Sequence, residues 1–298
     1  MIRTGGRLAI AVAIAGAAAS SPANGQVVGF PRLGVATPMR DGVVLVANLW
    51  LPDTVGRFPT ILFRTPYDKT PVFKRYGMAA YVRAGYAVMI QDTRGRGDSA
   101  GEFDYLFPEG PDGYDTIEWI ARQPWSDGKV GMEGGSYMGT AQYLAAREQP
   151  PHLTCIAPFA PAGDTFGEVP YLGGAFKLSW ALTWIPLVQG RLFQADLADQ
   201  IDIGRLASQR PLVRLDTLMG RPMRLYQDVL AHSTLDDWWK RIHFGPSDFE
   251  KIQVPVFTVT GWFDGDQIGT LFYWDGLQRR NDPDTPRWLL IGPWTHAQ

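Results

Sequence analysis

The sequence has little excess charge and few histidines, which limits what it could bind. Its 298 residues include 28 basic and 30 acidic ones, a formal net charge of -2, and the basic residues are spread along the chain. This distribution argues against a nucleic-acid-binding surface and against a polybasic membrane patch. The four histidines and the carboxylates show no metal-ligand spacing, so we predict neither a metal nor a cofactor. A small molecule is the expected partner.

Cysteine is almost missing. The single Cys155 cannot form an internal disulfide, so folding must depend on the apolar core. Because Cys155 lies in an apolar run, we expect a buried thiol rather than a reactive one. The sequence also lacks internal repeats and low-complexity tracts, which excludes solenoid and fibrous architectures.

The sequence also lacks an apolar run long enough to span a membrane, and its one pronounced apolar run, near the start, is short. Arg3 and Arg7 precede the apolar stretch Leu8–Ala19, which is too short to span a bilayer stably. We predict a signal peptide over residues 1–25, with cleavage after either Ala19 or Ala23, and export to the periplasm or the medium. No stable membrane insertion is expected after cleavage, although an uncleaved anchor is the alternative.

Short β-branched apolar runs alternate with longer stretches of helical periodicity. This alternation is typical of βαβ units and predicts a mostly parallel sheet with helices on both faces. The predicted strands are Val43–Trp50, Thr60–Arg64, Ala87–Gln91, Val130–Glu133, Thr154–Pro158, Val254–Thr260 and Trp288–Ile291. The predicted helices are Phe73–Ala84, Gly113–Arg122, Tyr137–Gln149 and Gln267–Arg279.

The alternation stops over residues 164–250, where the sequence is helix-prone and rich in Trp and Leu. We predict a helical cap there, inserted between a first core part at residues 26–163 and a second at residues 251–298. A cap over the carboxyl edge of a parallel sheet shapes the ligand pocket. Its tryptophans are candidates either for the pocket lining or for the cap's own core: Trp180, Trp184, Trp238 and Trp239.

One glycine-flanked serine has the pattern of a nucleophile elbow, a sharp turn from strand to helix. Ser136 follows Gly134 and Gly135 at the end of a predicted strand, and Tyr137 begins a predicted helix. The glycines leave room for a strained serine backbone, and the Tyr137 amide would be the first oxyanion donor. Met138 departs from the usual G-x-S-x-G pattern, in which a glycine stands two places after the serine.

Two further residues complete the order nucleophile, acid, histidine. Asp264 follows the strand predicted at Val254–Thr260, and His296 follows the one at Trp288–Ile291. Because equivalent ends of parallel strands share one sheet edge, these residues and Ser136 should converge on one site. We therefore predict a Ser136–Asp264–His296 triad, with Asp266 as the nearest alternative acid.

Several longer stretches resemble the cocaine esterase, α-amino-acid ester hydrolase and glutaryl acylase family, which is related to the Xaa-Pro dipeptidyl peptidases. The resemblance runs from about Met39 to the last residue. It is carried by stretches beginning with Met39-Arg-Asp-Gly, Arg64-Thr-Pro-Tyr-Asp-Lys, Gln91-Asp-Thr-Arg-Gly-Arg-Gly-Asp-Ser, Asp112-Gly-Tyr-Asp-Thr-Ile-Glu-Trp and Gln123-Pro-Trp-Ser-Asp-Gly-Lys.

The resemblance implies an α/β-hydrolase fold and adds Tyr67 to the site. In the family, the tyrosine of the Arg-x-Pro-Tyr-Asp-Lys stretch donates its hydroxyl to the oxyanion, and the elbow has Gly three places after Ser, as at Gly139 here. The glycine-rich stretch Gln91–Ser99 is a structural loop in the family, and it lacks the dinucleotide-binding spacing. Family members carry a jelly-roll domain after the histidine loop, which we expect to be missing from this sequence.

The leading hypothesis is therefore an exported serine hydrolase that cleaves small esters or amides through an acyl-enzyme. An Xaa-Pro dipeptidyl peptidase is the alternative, and it would need cap carboxylates for the substrate's amino end; Glu168, Asp236 and Asp237 are available. A catalytically inactive binding module is the third possibility. The sequence leaves the oligomeric state open.

Overall fold

The computed structural model describes residues 28–280 and 282–296. The predicted signal peptide over residues 1–25 lies outside the described residues. Within them, no helix combines the length and the apolar character needed to cross a membrane.

An eight-stranded sheet forms the centre of the structure. Its strands are β1 (Phe30–Pro38), β2 (Val44–Leu51), β3 (Phe58–Thr65), β4 (Ala87–Asp92), β5 (Ser126–Gly135), β6 (Leu153–Phe159), β9 (Val256–Gly261) and β10 (Arg287–Gly292), while β7 (Tyr171–Leu172) and β8 (Ala175–Phe176) form a separate hairpin. The strand order in the sheet is β1-β2-β4-β3-β5-β6-β9-β10. The pairs β1–β2 and β2–β4 are antiparallel, and all other neighbours are parallel. This is the predicted α/β-hydrolase arrangement.

All seven predicted strands are present, but β1 was not predicted. Its side chains are mostly exposed, so it lacks the apolar run by which the other strands are recognised. Pro31 and Pro38 lie within it, and proline is tolerated at the edge of a sheet because an outward-facing N–H needs no partner.

Helices flank the sheet on the chain segments between the strands. Their bounds are α1 (Lys69–Arg75), α2 (Ala79–Arg83), α3 (Glu109–Ala121), α4 (Tyr137–Arg147), α5 (Leu178–Val188), α6 (Ile203–Ala207), α7 (Leu215–Leu218), α8 (Arg224–Ala231), α9 (Asp237–Lys240), α10 (Pro246–Glu250) and α11 (Gln267–Arg280). The prediction of one helix over Phe73–Ala84 is wrong. Gly77 interrupts it with a φ of +65°, a left-handed conformation that ends α1.

Helices α5 to α10 lie between β6 and β9 in the chain, together with the small hairpin. Their apolar side chains belong to the same core cluster as those of the sheet, so this segment packs directly on the sheet and its helices. Trp239 is fully buried there and donates its indole N–H to the His232 carbonyl at 2.7 Å. Trp239 is thus a core residue of this segment rather than part of a pocket lining.

Candidate active site

Ser136 lies at a sharp turn between β5 and α4. Its backbone has φ 60° and ψ -129°, a conformation that is costly for a residue with a side chain. Close approaches make the two preceding glycines necessary: a Cβ on Gly134 would lie 2.6 Å from Met138 Cβ, and one on Gly135 would lie 2.9 Å from the Phe159 ring. The geometry is that of a nucleophile elbow, which presents the Ser136 hydroxyl above the sheet edge.

The Tyr67 hydroxyl lies 3.4 Å from Ser136 Oγ. Tyr67 follows β3, the parallel neighbour of β5, and its amide donates to Thr65 Oγ1 at 3.0 Å, which holds the turn. Burial raises the pKa of the Tyr67 hydroxyl to about 12, although hydrogen bonds from its surroundings oppose the shift. The phenol therefore keeps its proton at neutral pH and can donate it as a hydrogen bond.

Tyr137 is the first residue of α4, so its amide has no partner within the helix. Its side chain is anchored beneath the turn, where the hydroxyl donates to the Tyr105 carbonyl at 2.5 Å and lies 3.0 Å from Glu109 Oε1. The rings of Tyr67 and Tyr137 pack edge to face, with centroids 6.4 Å apart. A phenol hydroxyl and a helix-terminal amide thus lie next to the Ser136 turn, as an oxyanion hole requires.

Asp264 and His296 lie on neighbouring loops and hydrogen-bond to each other. The ends of β9 and β10 are in register, with Gly261 opposite Gly292, and the loops that follow are joined by a bond from the Phe263 amide to the Trp294 carbonyl at 3.1 Å. His296 Nδ1 lies 2.9 Å from Asp264 Oδ1, and the Asp264 side chain is fully buried.

Asp264 is much better placed than Asp266 to orient the imidazole. Asp266 Oδ2 lies 3.8 Å from His296 Nδ1, and the Asp266 amide instead donates to Asp264 Oδ1 at 2.7 Å. The hydrogen bond to Asp264 is the main cause that raises the pKa of His296 above its ordinary 6.5, and the Asp266 charge adds to it. Both carboxylates therefore favour the imidazolium that forms when His296 accepts a proton.

The structure brings the predicted residues together as two bonded pairs, Tyr67 with Ser136 and Asp264 with His296. Among the described residues, no hydrogen bond joins His296 to Ser136. The His296 side chain is 42% exposed. Because Nδ1 is bonded to Asp264, Nε2 is the ring nitrogen that remains to accept a proton. Catalytic hydrogen bonds are often long before substrate binds and tighten in the complex.

Cys155 does not compete with Ser136 as a nucleophile. Burial raises the pKa of its thiol above the ordinary value, so the reactive thiolate is disfavoured.

One group of side chains in residues 28–280 and 282–296 brings metal-ligating atoms close together. The ligand atoms of Asp264, Asp266 and His296 lie within 4.8 Å of one another. Because His296 Nδ1 already bonds to Asp264, a metal at that nitrogen would displace the bond that orients the imidazole. The arrangement suits proton transfer by His296, and the absence of a cofactor stays a prediction.

Glu168 is a carboxyl group near the triad whose placement the sequence could not show. It is fully buried, and Oε2 accepts a hydrogen bond from the Gly163 amide at 3.0 Å, whereas Oε1 has no partner. Burial, together with the nearby Asp266 charge, raises the pKa of Glu168 to about 8. Burial likewise raises the pKa of Asp266. Asp266 lies beside His296, and Glu168 lies close enough to Asp266 for its pKa to be raised by the Asp266 charge.

The sequence of the chain is similar to those of known hydrolases. Residues 41–298 match the sequence profile of the family described as X-Pro dipeptidyl-peptidase (S15 family). The chain is 35% identical over 287 residues to the cocaine esterase of a Rhodococcus species, covering 88% of this chain and 48% of that protein. It is 26% identical to a putative serine esterase of Mycobacterium bovis, covering 87% of this chain and 50% of the relative. The chain thus spans about half the length of these relatives.

Solved structures share the fold. An α-amino acid ester hydrolase superposes with a TM-score of 0.77 at 24% identity, over 97% of this chain and 52% of that one. An aminopeptidase from a marine sediment Thaumarchaeota archaeon superposes with a TM-score of 0.74 at 23% identity, over 94% of this chain and 51% of the other.

Proposed function

The chain belongs to the X-Pro dipeptidyl-peptidase (S15) family of serine hydrolases and esterases, and from this premise we propose that it cleaves esters or amides of small acyl groups through an acyl-enzyme on Ser136. One observation carries the proposal. The strained Ser136 elbow has a protonated phenol, that of Tyr67, at 3.4 Å from the serine oxygen. An ordinary strand-to-helix turn has no need of either feature.

In the proposed reaction, Ser136 Oγ attacks the acyl carbon while His296 Nε2 accepts the serine proton. The carbonyl oxygen becomes an oxyanion, which accepts hydrogen bonds from the Tyr67 hydroxyl and the Tyr137 amide. The C–O or C–N bond to the leaving group then breaks, and His296 returns the proton to that group. Water, deprotonated by His296, releases the acid from Ser136. Asp264 keeps the proton on His296 Nδ1 throughout.

Tyr67→Phe tests the oxyanion role, because it removes one oxygen and keeps the ring. We expect acylation by a p-nitrophenyl ester to slow by about 100- to 1000-fold, the usual cost of losing one oxyanion donor. Tyr76→Phe is the matched control, since it removes a phenol hydroxyl at the end of α1. Stopped-flow measurement of the acylation rate separates the two. A Tyr67→Phe rate within about threefold of the parent would make the phenol structural.

A second candidate function is supported by Glu168 and Asp266. Glu168 is buried and has an unpaired oxygen, so a cation placed next to it would favour its ionised form. The free amino group of a substrate is such a cation. This favours aminoacyl esters, or peptides with a free amino end, over unsubstituted acyl groups. The solved neighbours named as an α-amino acid ester hydrolase and an aminopeptidase agree with this possibility.

Glu168→Gln distinguishes the two candidates. If Glu168 faces the amino group, kcat/KM for an alanine ester should fall by about 10- to 100-fold, the worth of a hydrogen bond to a charged group. For the propionate ester of the same alcohol, which lacks only the amino group, kcat/KM should stay within about threefold. Equal losses on both esters would mean that Glu168 supports the fold around Gly163 rather than recognising the substrate.

We also propose that the protein is exported. This rests on the basic start and the apolar Leu8–Ala19 stretch. The first residue of the mature protein tests it: cleavage at either predicted position leaves Ser20 or Asn24 at the amino terminus.

A further inference from the structure

Trp184, on helix α5, hydrogen-bonds to the phenol of Tyr67. Its indole Nε1 lies 3.3 Å from the Tyr67 hydroxyl oxygen. An indole nitrogen can donate a hydrogen bond but cannot accept one, so Tyr67 must be the acceptor in this pair. The bond can therefore run only from the Trp184 N–H to the Tyr67 oxygen.

Because Tyr67 is the acceptor, its own hydroxyl proton is not used in the bond to Trp184. A phenol has one proton, and with Trp184 occupying a lone pair, that proton remains free to point toward the Ser136 side, 3.4 Å away. Accepting a hydrogen bond also polarises the Tyr67 O–H bond and strengthens it as a donor. The hydrogen bond from Trp184 lowers the pKa of the Tyr67 hydroxyl, whereas burial raises it.

A buried arginine sets the spacing between the two elements. Arg96 is fully buried, and its guanidinium donates to the Pro66 carbonyl at 2.9 Å and to the Val188 carbonyl at 2.5 Å. Pro66 directly precedes Tyr67, and Val188 lies about one helical turn beyond Trp184. Arg96 thus joins the two backbones that carry the hydrogen-bonded pair, although burial lowers its own pKa to about 10.

Aromatic packing restrains the indole in the same orientation. The Trp184 ring stacks on Tyr137, with centroids 6.1 Å apart and planes 20° apart, and it meets Tyr105 edge-on at 5.6 Å. Trp180 stacks on Trp184 from within the same helix, at 5.4 Å. Trp184 therefore contacts both residues to which the proposed function assigns the oxyanion donors.

We propose that Trp184 is a positioning residue for the oxyanion hole: its N–H occupies a lone pair of Tyr67 and leaves the Tyr67 proton for the oxyanion. The inference rests on the proposed role of Tyr67 and extends it to helix α5, which lies outside the sheet and its flanking loops. A substrate-lining tryptophan would act on binding, whereas Trp184 acts on the chemical step through Tyr67.

The test is a double-mutant cycle between Trp184→Phe and Tyr67→Phe, with Trp50→Phe as the matched control, since Trp50 lies on strand β2 and stacks on Phe73 rather than on the site residues. Trp184→Phe removes the N–H and keeps an aromatic ring. We expect it to lower the acylation rate by about 3- to 10-fold, as for loss of one neutral hydrogen bond, with little change in KM. Trp50→Phe should stay within about twofold of the parent. In the Tyr67→Phe background, Trp184→Phe should have almost no further effect.

The outcomes separate the inference from the proposed function. If Trp184→Phe costs as much in the Tyr67→Phe background as in the parent, or raises KM alone, the indole acts on substrate and the inference is wrong. An unchanged acylation rate in Trp184→Phe also overturns it. If Tyr67→Phe has no effect, the oxyanion role fails first and the inference with it. Thermal midpoints of the two tryptophan variants, compared with each other, show whether a rate loss comes from misfolding.

Discussion

Replacing Ser136 with alanine is expected to lower kcat for ester hydrolysis by about ten-thousand- to a million-fold, the range measured when a triad nucleophile is removed. The acyl-enzyme cannot form without the serine oxygen. The Cys155 thiol, which is half-buried rather than fully buried as expected and whose pKa is raised, is a poor replacement for it. The residual rate should be that of water attacking a substrate held in the oxyanion hole.

Ser247→Ala is the control for this variant. Ser247 is exposed near the start of α10, so its loss should leave kcat unchanged. Steady-state kinetics on one p-nitrophenyl ester compares the three proteins. A Ser136→Ala variant with a tenth or more of the parent's kcat would place the nucleophile elsewhere.

Asp264→Asn should lower kcat by about ten-thousand-fold, because the amide would present its N–H to His296 and stabilise the wrong imidazole tautomer. It should also move the pH profile. In the parent, the bond to Asp264 raises the pKa of His296 above 6.5, and only the neutral imidazole accepts the serine proton. Activity of the parent should therefore rise with pH through a value above 6.5, and this limb should move to lower pH in Asp264→Asn.

Asp266→Asn provides the comparison for Asp264→Asn. Its carboxylate lies 3.8 Å from His296 Nδ1 against 2.9 Å for Asp264, and it adds charge without a hydrogen bond. We expect a small loss of kcat and a smaller downward shift of the same limb in kcat/KM. A large loss in Asp266→Asn with a nearly normal Asp264→Asn would make Asp266 the acid.

The positions of seven strands along the chain, and the placement of candidate site residues directly after strands, were predictable for one physical reason. Buried parallel strands need apolar runs, and loops at equivalent strand ends share an edge, so Ser136 and Asp264 could be placed together from their positions after β5 and β9. The strand β1 could not be predicted, because an exposed edge strand carries no such run. The single helix predicted over Phe73–Ala84 was wrong for a different reason. The apolar spacing is helical on both sides of Gly77, but the left-handed backbone of Gly77 ends α1.

The contacts between α5 and the sheet loops were beyond prediction from sequence. The sequence indicates that residues 164–250 are helix-prone, but not where helix α5 begins and ends or how it docks. The bond between Trp184 and Tyr67 depends on that docking, as does the bridge that Arg96 makes between the two backbones. Glu168 is a similar case, because its pKa and unpaired oxygen follow from tertiary burial.

The central claim, that Ser136 is an activated nucleophile, is tested most directly by covalent labelling of the folded protein with a fluorophosphonate. The account predicts that intact-mass spectrometry shows a single adduct, that peptide mapping places it on Ser136, and that Ser136→Ala shows none. An adduct on a different residue, or no adduct on a protein whose circular dichroism shows it folded, would contradict the claim and favour an inactive binding module.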